Sequence, residues 1–186
     1  MNSDTKIWSV ITALSLAALL VLLYQEYGGD LLAKDGSDLE NELLPLPSTA
    51  DDPDPIASNC LDHEGLARHD HSVLHIYLNG EERSIPENVG INTEDCNQLN
   101  NNMHTVHTHD ETGRLHIESN TAIDIPLGVF FDIWGVHFNE TGIFDYRVNS
   151  THEIIMTIDG ITNYDFDDYL LVEGAEIIII FQERTP

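Results

Sequence analysis

Apolar and polar positions alternate along "HSVLHIYLNG", residues 71 to 80, with Leu74, Ile76 and Leu78 on one face and His71, Val73 and His75 on the other. A period of two is the signature of a half-buried strand, and Asn79-Gly80 supplies a two-residue hairpin turn before the chain returns over Arg83 to Ile85. Pro86 ends that run. Strands are also predicted over His104 to His109 and Arg114 to Ser119, on either side of "DETG". The period then changes at "IPLGVFFDIWG", where Leu127, Phe130, Phe131 and Trp134 fall at i, i+3, i+4 and i+7. This predicts one short helix with an aromatic inner face, begun near Pro126 and stopped at Gly135. "EIIMTIDGITNY" reads as a strand, an Asp-Gly turn and a second strand, and "AEIIIIF" is apolar enough to be a strand covered on both faces.

Strands before and after a single helix place the chain in the α+β class, as a mixed β-sheet with one main helix. A length of 186 residues holds one such domain but not comfortably two. The folded domain is expected over residues 59–186. Ahead of it, "IWSVITALSLAALLVLLY", Ile7 to Tyr24, runs 18 residues without a charge, about the minimum that crosses a hydrocarbon core as a helix. It is longer than the apolar region of a cleavable signal, and no small-x-small cleavage site follows it, so it reads as an uncleaved transmembrane signal anchor. Lys6 precedes it and Glu26, Asp30 and Asp35 follow, which puts residues 1–6 in the cytoplasm and the C-terminal bulk outside. The lipid bilayer is thus one expected partner, through residues 7–24. Residues 25–58 read as an acidic, flexible stalk, since Gly28 to Ser58 contains eight acidic residues and four prolines without sustained periodicity.

Charge bears on solubility and on the partners the chain can take, and cysteine usage agrees with an extracytoplasmic domain. The formal charge is −26, from 33 acidic and 7 basic residues, and beyond residue 58 the basic side chains are Arg68, Arg83, Arg114, Arg147 and Arg184. Nucleic acid is excluded as a partner, because a phosphate polyanion is repelled and too few cations exist to release its counterions. Divalent cations are attracted instead. The two cysteines, Cys60 and Cys96, read as a disulfide in an oxidising compartment. Closing a loop of that size stabilises by roughly 3 to 4 kcal/mol in the chain-entropy account. Asn139-Glu-Thr and Asn149-Ser-Thr are glycosylation sequons, expected on surface loops.

The candidate chemistry lies in the histidines. On an extended chain His69, His71, Val73 and His75 share a face, His107 and His109 share one, and so do Arg114, His116 and Glu118. Two registers are open at "DETG". A two-residue loop at Glu111-Thr112 puts His107 opposite His116, whereas a bulge at Gly113 scatters the set. If the rings converge, neutral imidazole is the commonest ligand for divalent zinc or copper, with His69, His71, His107, His109 and His116 as ligands. Asp110 and Glu118 would then orient the rings. The competing reading makes "HTHDETG" a hydrogen-bonded turn, with Asp110 capping backbone amides and the histidines structural. Catalysis has little to stand on: no nucleophile with an adjacent base is legible, and Ser72 next to His71 is adjacency in sequence alone.

Two resemblances add to this. "IIMTIDGITNYDFDDYLLVEGAEIIIIF" resembles the C-terminal part of the β-grasp, or ubiquitin-like, pattern, in which a hairpin and a turn of helix lead into a central strand. Over nearly the whole domain, "HDH…IYLNG…VHTHDETGRLHIES…IPLGVFFDIWG" is similar to an uncharacterised family of membrane-anchored extracytoplasmic prokaryotic domains. That resemblance carries no activity. It implies one domain and points to His69, His71, His107, His109, Asp110, His116 and Glu118, leaving His63, His75 and His104 outside the shared motifs. The expectation is therefore a membrane-anchored extracytoplasmic domain, β-grasp-like, that binds a zinc or copper ion. The alternative is a non-catalytic interaction or assembly module docking a membrane or cell-surface protein, and a third option is a hydrolytic metalloenzyme.

Overall fold

The computed structural model describes residues 53–61 and 63–185. The chain divides into two units, Met1–Leu44 and Pro45–Pro186, and the described residues all belong to the second. The apolar span expected over 7–24, and the stalk as far as residue 52, lie outside the described residues. Among the described residues no helix is long and apolar enough to cross a membrane.

The described unit is α+β. Its strands are β1 (Cys60–Leu61), β2 (Arg68–Leu78), β3 (Glu81–Arg83), β4 (Met103–His104), β5 (Val106–His107) and β6 (Arg114–Ser119), followed by helix α1 (Gly128–Trp134). After the helix come β7 (Phe138–Asn139), β8 (Gly142–Ile143), β9 (Tyr146–Arg147), β10 (His152–Ile158), β11 (Ile161–Asn163) and β12 (Glu176–Glu183). The main sheet runs in the order β11-β10-β12-β2-β6-β5, and β3 pairs with the far end of β2. Only β12 and β2 are parallel, so the sheet is mixed. Strands β7 to β9 form a small sheet of their own, and β1 pairs with β4.

Alternation along the strands decides which side of the sheet is core. Leu74 and Ile76 of β2, Leu115 and Ile117 of β6, Met156 of β10, and Ile177 and Ile179 of β12 are all buried in one cluster with Phe130 and Phe131 of α1 and Phe138 of β7. Each such side chain removed from water contributes about 1.5 to 3 kcal/mol, so this face fixes the register of every long strand. The helix ends where expected: the Gly135 amide donates to the carbonyls of Phe131 and Asp132. Strand β12 differs from expectation. Ile177, Ile179 and Phe181 are buried, but Ile178 and Ile180 are only half-buried, because α1 covers one face of the sheet while the alternate positions look outward beside His75 and Tyr77.

Two other expectations are corrected. The folded unit begins before residue 59, because Pro55–Ser58 forms a 3-10 turn, the Asp54 amide donates to Asp132, and Ile56 and Ala57 pack against the core. Asn139 is not on the surface: it is 5% exposed and its side-chain oxygen accepts from the amide and hydroxyl of Thr141. Asn149 is exposed and accepts from the amides of Thr151 and His152. The disulfide between Cys60 and Cys96 is present.

One glycine positions the histidine strands. The Gly113 carbonyl accepts from the Leu74 amide, at φ +79, and a Cβ there would collide with the Leu74 carbonyl oxygen. Only glycine lets the loop lie this close to β2 as it turns into β6. Gly113→Ala is expected to lower unfolding free energy by about 3 kcal/mol or more. Gly80→Ala, in the open hairpin turn with nothing near the added Cβ, is expected to lose only the left-handed strain of about 1 kcal/mol. Denaturant titration of both variants checks this, and equal losses would contradict the close approach.

Candidate metal centre

Backbone pairing assembles the site. His71 of β2 pairs with His116 of β6, and His116 pairs with His107 of β5, so three imidazoles stand side by side across three strands. On the next outward position His69 pairs with Glu118. This is the register that a two-residue loop would give, but residues 108–113 leave the ladder, with Thr108 and Gly113 both buried at its ends. Thr108 pins the near end of that loop: its hydroxyl donates to the Pro86 carbonyl and accepts from the Val89 amide. Asp110 closes the tip by accepting from the amide and hydroxyl of Thr112.

The rings meet in two sets. His69, His71 and His116 each offer a ligand nitrogen, all within 4.8 Å of one another, and so do His107, His109 and His116. Ring centroids lie 4.5 Å apart for His71 and His116, 4.5 Å for His109 and His116, and 5.4 Å for His107 and His116. Nitrogens held about 2.0 to 2.1 Å from a tetrahedral zinc stand roughly 3.3 Å from each other, so the ligand atoms of either set could hold an ion once drawn together by about 1.5 Å.

The hydrogen bonds fix which nitrogen is free. His107 is fully buried, and its Nδ1–H donates to the His104 carbonyl at 3.0 Å, since a carbonyl can only accept. The lone pair is therefore on Nε2, which is sealed from solvent and has no hydrogen-bond partner. His116 Nδ1 is in the same condition. An orphaned buried polar atom costs about 1 to 3 kcal/mol, so its presence in a native fold asks for an explanation. A metal ion supplies one.

Glu118 has the same signature. Its side chain is 0% exposed, and its oxygens lie 3.0 Å from His63 Nδ1 and 3.3 Å from His69 Nε2. Both contacts are near enough for charge to act, but neither is aligned as a hydrogen bond. Expected from its alternation to share the outer face with Arg114, Glu118 is instead covered by the two imidazoles it contacts. Buried carboxylates are normally paired or bound to a cation. With Nε2 of His69 turned to Glu118, Nδ1 is the nitrogen left for a ligand, the usual division between a metal ligand and the carboxylate that orients it.

Burial also sets protonation. It pushes His107 down to about 3, with the neighbouring imidazoles of His109, His116 and His63 adding to the effect and the hydrogen bond to His104 opposing it. His116 is pushed down to about 4 by burial, then by His109, His71, Arg114 and His69. His71 is lowered for the same first reason, then by Arg114 and His69. All three rings are neutral near pH 7, as metal ligation requires.

Three further histidines take different roles. His63 reaches the cluster: its ring centroid is 6.2 Å from His107 and 6.1 Å from His109, and it contacts Glu118. Sequence reasoning passed over it because only the β1–β4 pairing and the disulfide bring its segment beside β5. Its place three residues after Cys60 was the signal available. His104 is structural, with Nδ1 donating to the Ala57 carbonyl and Nε2 facing the Thr93 hydroxyl, each at 2.7 Å. His75 pairs with Glu82 on the exposed hairpin. Comparison with protein-family models, curated proteins and solved structures finds no match.

The protonation states give a sign. His107 and His116 titrate near 6.5 when unfolded and near 3 and 4 when folded, so between those values the unfolded chain binds more protons. Their neutral burial costs nothing above about pH 6.5 and destabilises progressively below it. The metal-free protein is expected to melt at a steady temperature between about pH 8 and 7 and at falling temperatures from about pH 6.5 to 5. Replacing both rings by glutamine should flatten that slope; a melting temperature constant through the window would contradict the buried neutral rings.

Proposed function

We propose that this chain is a membrane-anchored extracytoplasmic protein whose histidine cluster binds a divalent transition metal, zinc or copper. The carrying observation is the His107 ring: fully buried, with Nδ1 committed to a carbonyl and Nε2 facing other imidazoles without a partner. A purely structural histidine would resemble His104, with both nitrogens occupied. Imidazole and carboxylate donors without thiolates favour zinc or divalent copper over a soft cuprous ion. The surrounding excess of acidic residues raises the local concentration of any cation.

The rest of the reading belongs to the same proposal. Residues 7–24 act as the membrane anchor and residues 59–186 lie outside the cytoplasm, consistent with a disulfide in this domain. The fold is β-grasp-like: a first hairpin, β2–β3, a helix, and a C-terminal strand β12 parallel to β2 and flanked by the hairpin β10–β11 favour that reading. Strands β4 to β6 then form an insertion that supplies four of the site residues. The motif resemblance to membrane-anchored prokaryotic domains supports this placement.

The test uses the whole chain in detergent, dialysed against chelator and then given Zn(II) or Cu(II). Saturation at one hundred times the dissociation constant is expected to stabilise the fold by about 2.7 kcal/mol, read as a higher melting temperature. The pair His107→Ala and His116→Ala should abolish the gain; no gain with either ion in the unsubstituted protein would end the reading and leave an interaction module. Glu118→Gln, which keeps every ligand but removes the orienting charge, is expected to weaken binding by about 10- to 100-fold in a competition titration.

A further inference from the structure

The two donor sets share a single residue, and that residue sits between them. His69 and His71 belong to β2, on one flank of β6, while His107 and His109 belong to β5 and the loop after it, on the other flank. Neighbouring strands are about 4.8 Å apart, so the outer two strands stand about 10 Å from each other with the His116 ring between them. A tetrahedral ion accepts four ligands, whereas five imidazoles converge here and His63 makes a sixth. One ion cannot use them all.

We propose that the cluster is a two-ion centre, in which His69 and His71 hold one divalent transition ion, His107 and His109 hold the second, and His116 lies between the ions as their common ligand. This deepens the metal-binding reading above and rests on it. Glu118 fits the arrangement, since its two oxygens face His69, from the first set, and His63, beside the second. The unpartnered nitrogens fit as well: Nε2 of His107 and Nδ1 of His116 are buried ring nitrogens without a hydrogen-bond partner. A neutral imidazole has one lone-pair nitrogen and one N–H. When the second ion binds, a nitrogen–metal bond forms at the N–H nitrogen, its proton leaves to solvent, and neither metal changes oxidation state. The ring then carries a negative charge that two dications stabilise. The class of ligand is a pair of zinc or divalent copper ions bridged through an aromatic ring.

The experiment counts ions. The chelator-dialysed whole chain is titrated with Cu(II), with citrate present to keep surface carboxylates from holding copper, and bound metal is measured after removal of the excess. Two equivalents per chain are expected. His71→Ala and His109→Ala alter outer-face or loop rings rather than the core, and each is expected to retain one equivalent, with melting curves confirming that both variants fold. Electron paramagnetic resonance gives a second readout: through a shared ring the second equivalent of copper should diminish the signal of the first rather than double it. A single equivalent in the unsubstituted protein, a doubled signal, or two equivalents persisting in His71→Ala overturns the two-ion centre. One tight ion would leave the metal-binding reading standing, while no binding at any concentration would remove that reading as well.

Discussion

Everything distinctive about this molecule depends on one line of antiparallel pairing, in which His71, His116 and His107 face each other across β2, β6 and β5. Because strand side chains alternate, a slip of one residue in β6 would send His116 into the core and Leu115 out to solvent. The apolar side of the sheet prevents that slip. Leu115 and Ile117 are sealed against the same cluster that holds Phe130 and Phe131, so core packing on one face holds the imidazoles in line on the other. Site geometry here is a by-product of hydrophobic burial, enforced by about 1.5 to 3 kcal/mol of side-chain transfer for each misplaced residue.

Electrostatics then leaves a row of rings that could hold a metal ion. In a chain of charge −26 the three central rings are held neutral by burial. Glu118 is the counterpart: a carboxylate enclosed by imidazoles in place of water. Neutral donors and a buried anion are complementary to a cation, and to little else of that size. Arg114 works in the opposite direction, since it stands beside His116 and disfavours positive charge there. Its effect on an ion is partly screened, because Arg114 is exposed while Glu118 is sealed.

Much of the frame was legible in the sequence, because local rules and the core agree there. Asn79-Gly80 and Asp159-Gly160 both turn hairpins with positive φ at each residue, and the Leu127, Phe130, Phe131 spacing marked the buried face of the helix. The histidine strands were legible as strands, but their mutual register was open, because "DETG" is neither a two-residue turn nor a simple bulge. What settles it is nonlocal: Gly113 lies against Leu74, and Thr108 is tied to Pro86 and Val89. His63 was invisible for the same reason, since its position depends on the pairing of β1 with β4 and on a bond to Cys96. Burial of Asn139 and Glu118 likewise follows from what folds over them, which alternation cannot report.

The disulfide has a consequence for the site beyond stability. It ties Cys60, at the start of the segment that carries His63, to the loop that precedes β4, and β1 lies along β4 beside the cluster. His104 of β4 in turn donates from Nδ1 to the Ala57 carbonyl, while its own carbonyl fixes the tautomer of His107. A chain of contacts therefore runs from the N-terminal 3-10 turn, through His104, to the buried, unpartnered nitrogen of His107. Rings positioned this way lose little conformational freedom on binding an ion, since the folding of the domain has already ordered them. The orphaned nitrogens make the metal-free state costly, at about 1 to 3 kcal/mol for each sealed atom. An ion that satisfied them would recover that energy as affinity, so the cost of the unpartnered state and the affinity of such a site would have a common physical source.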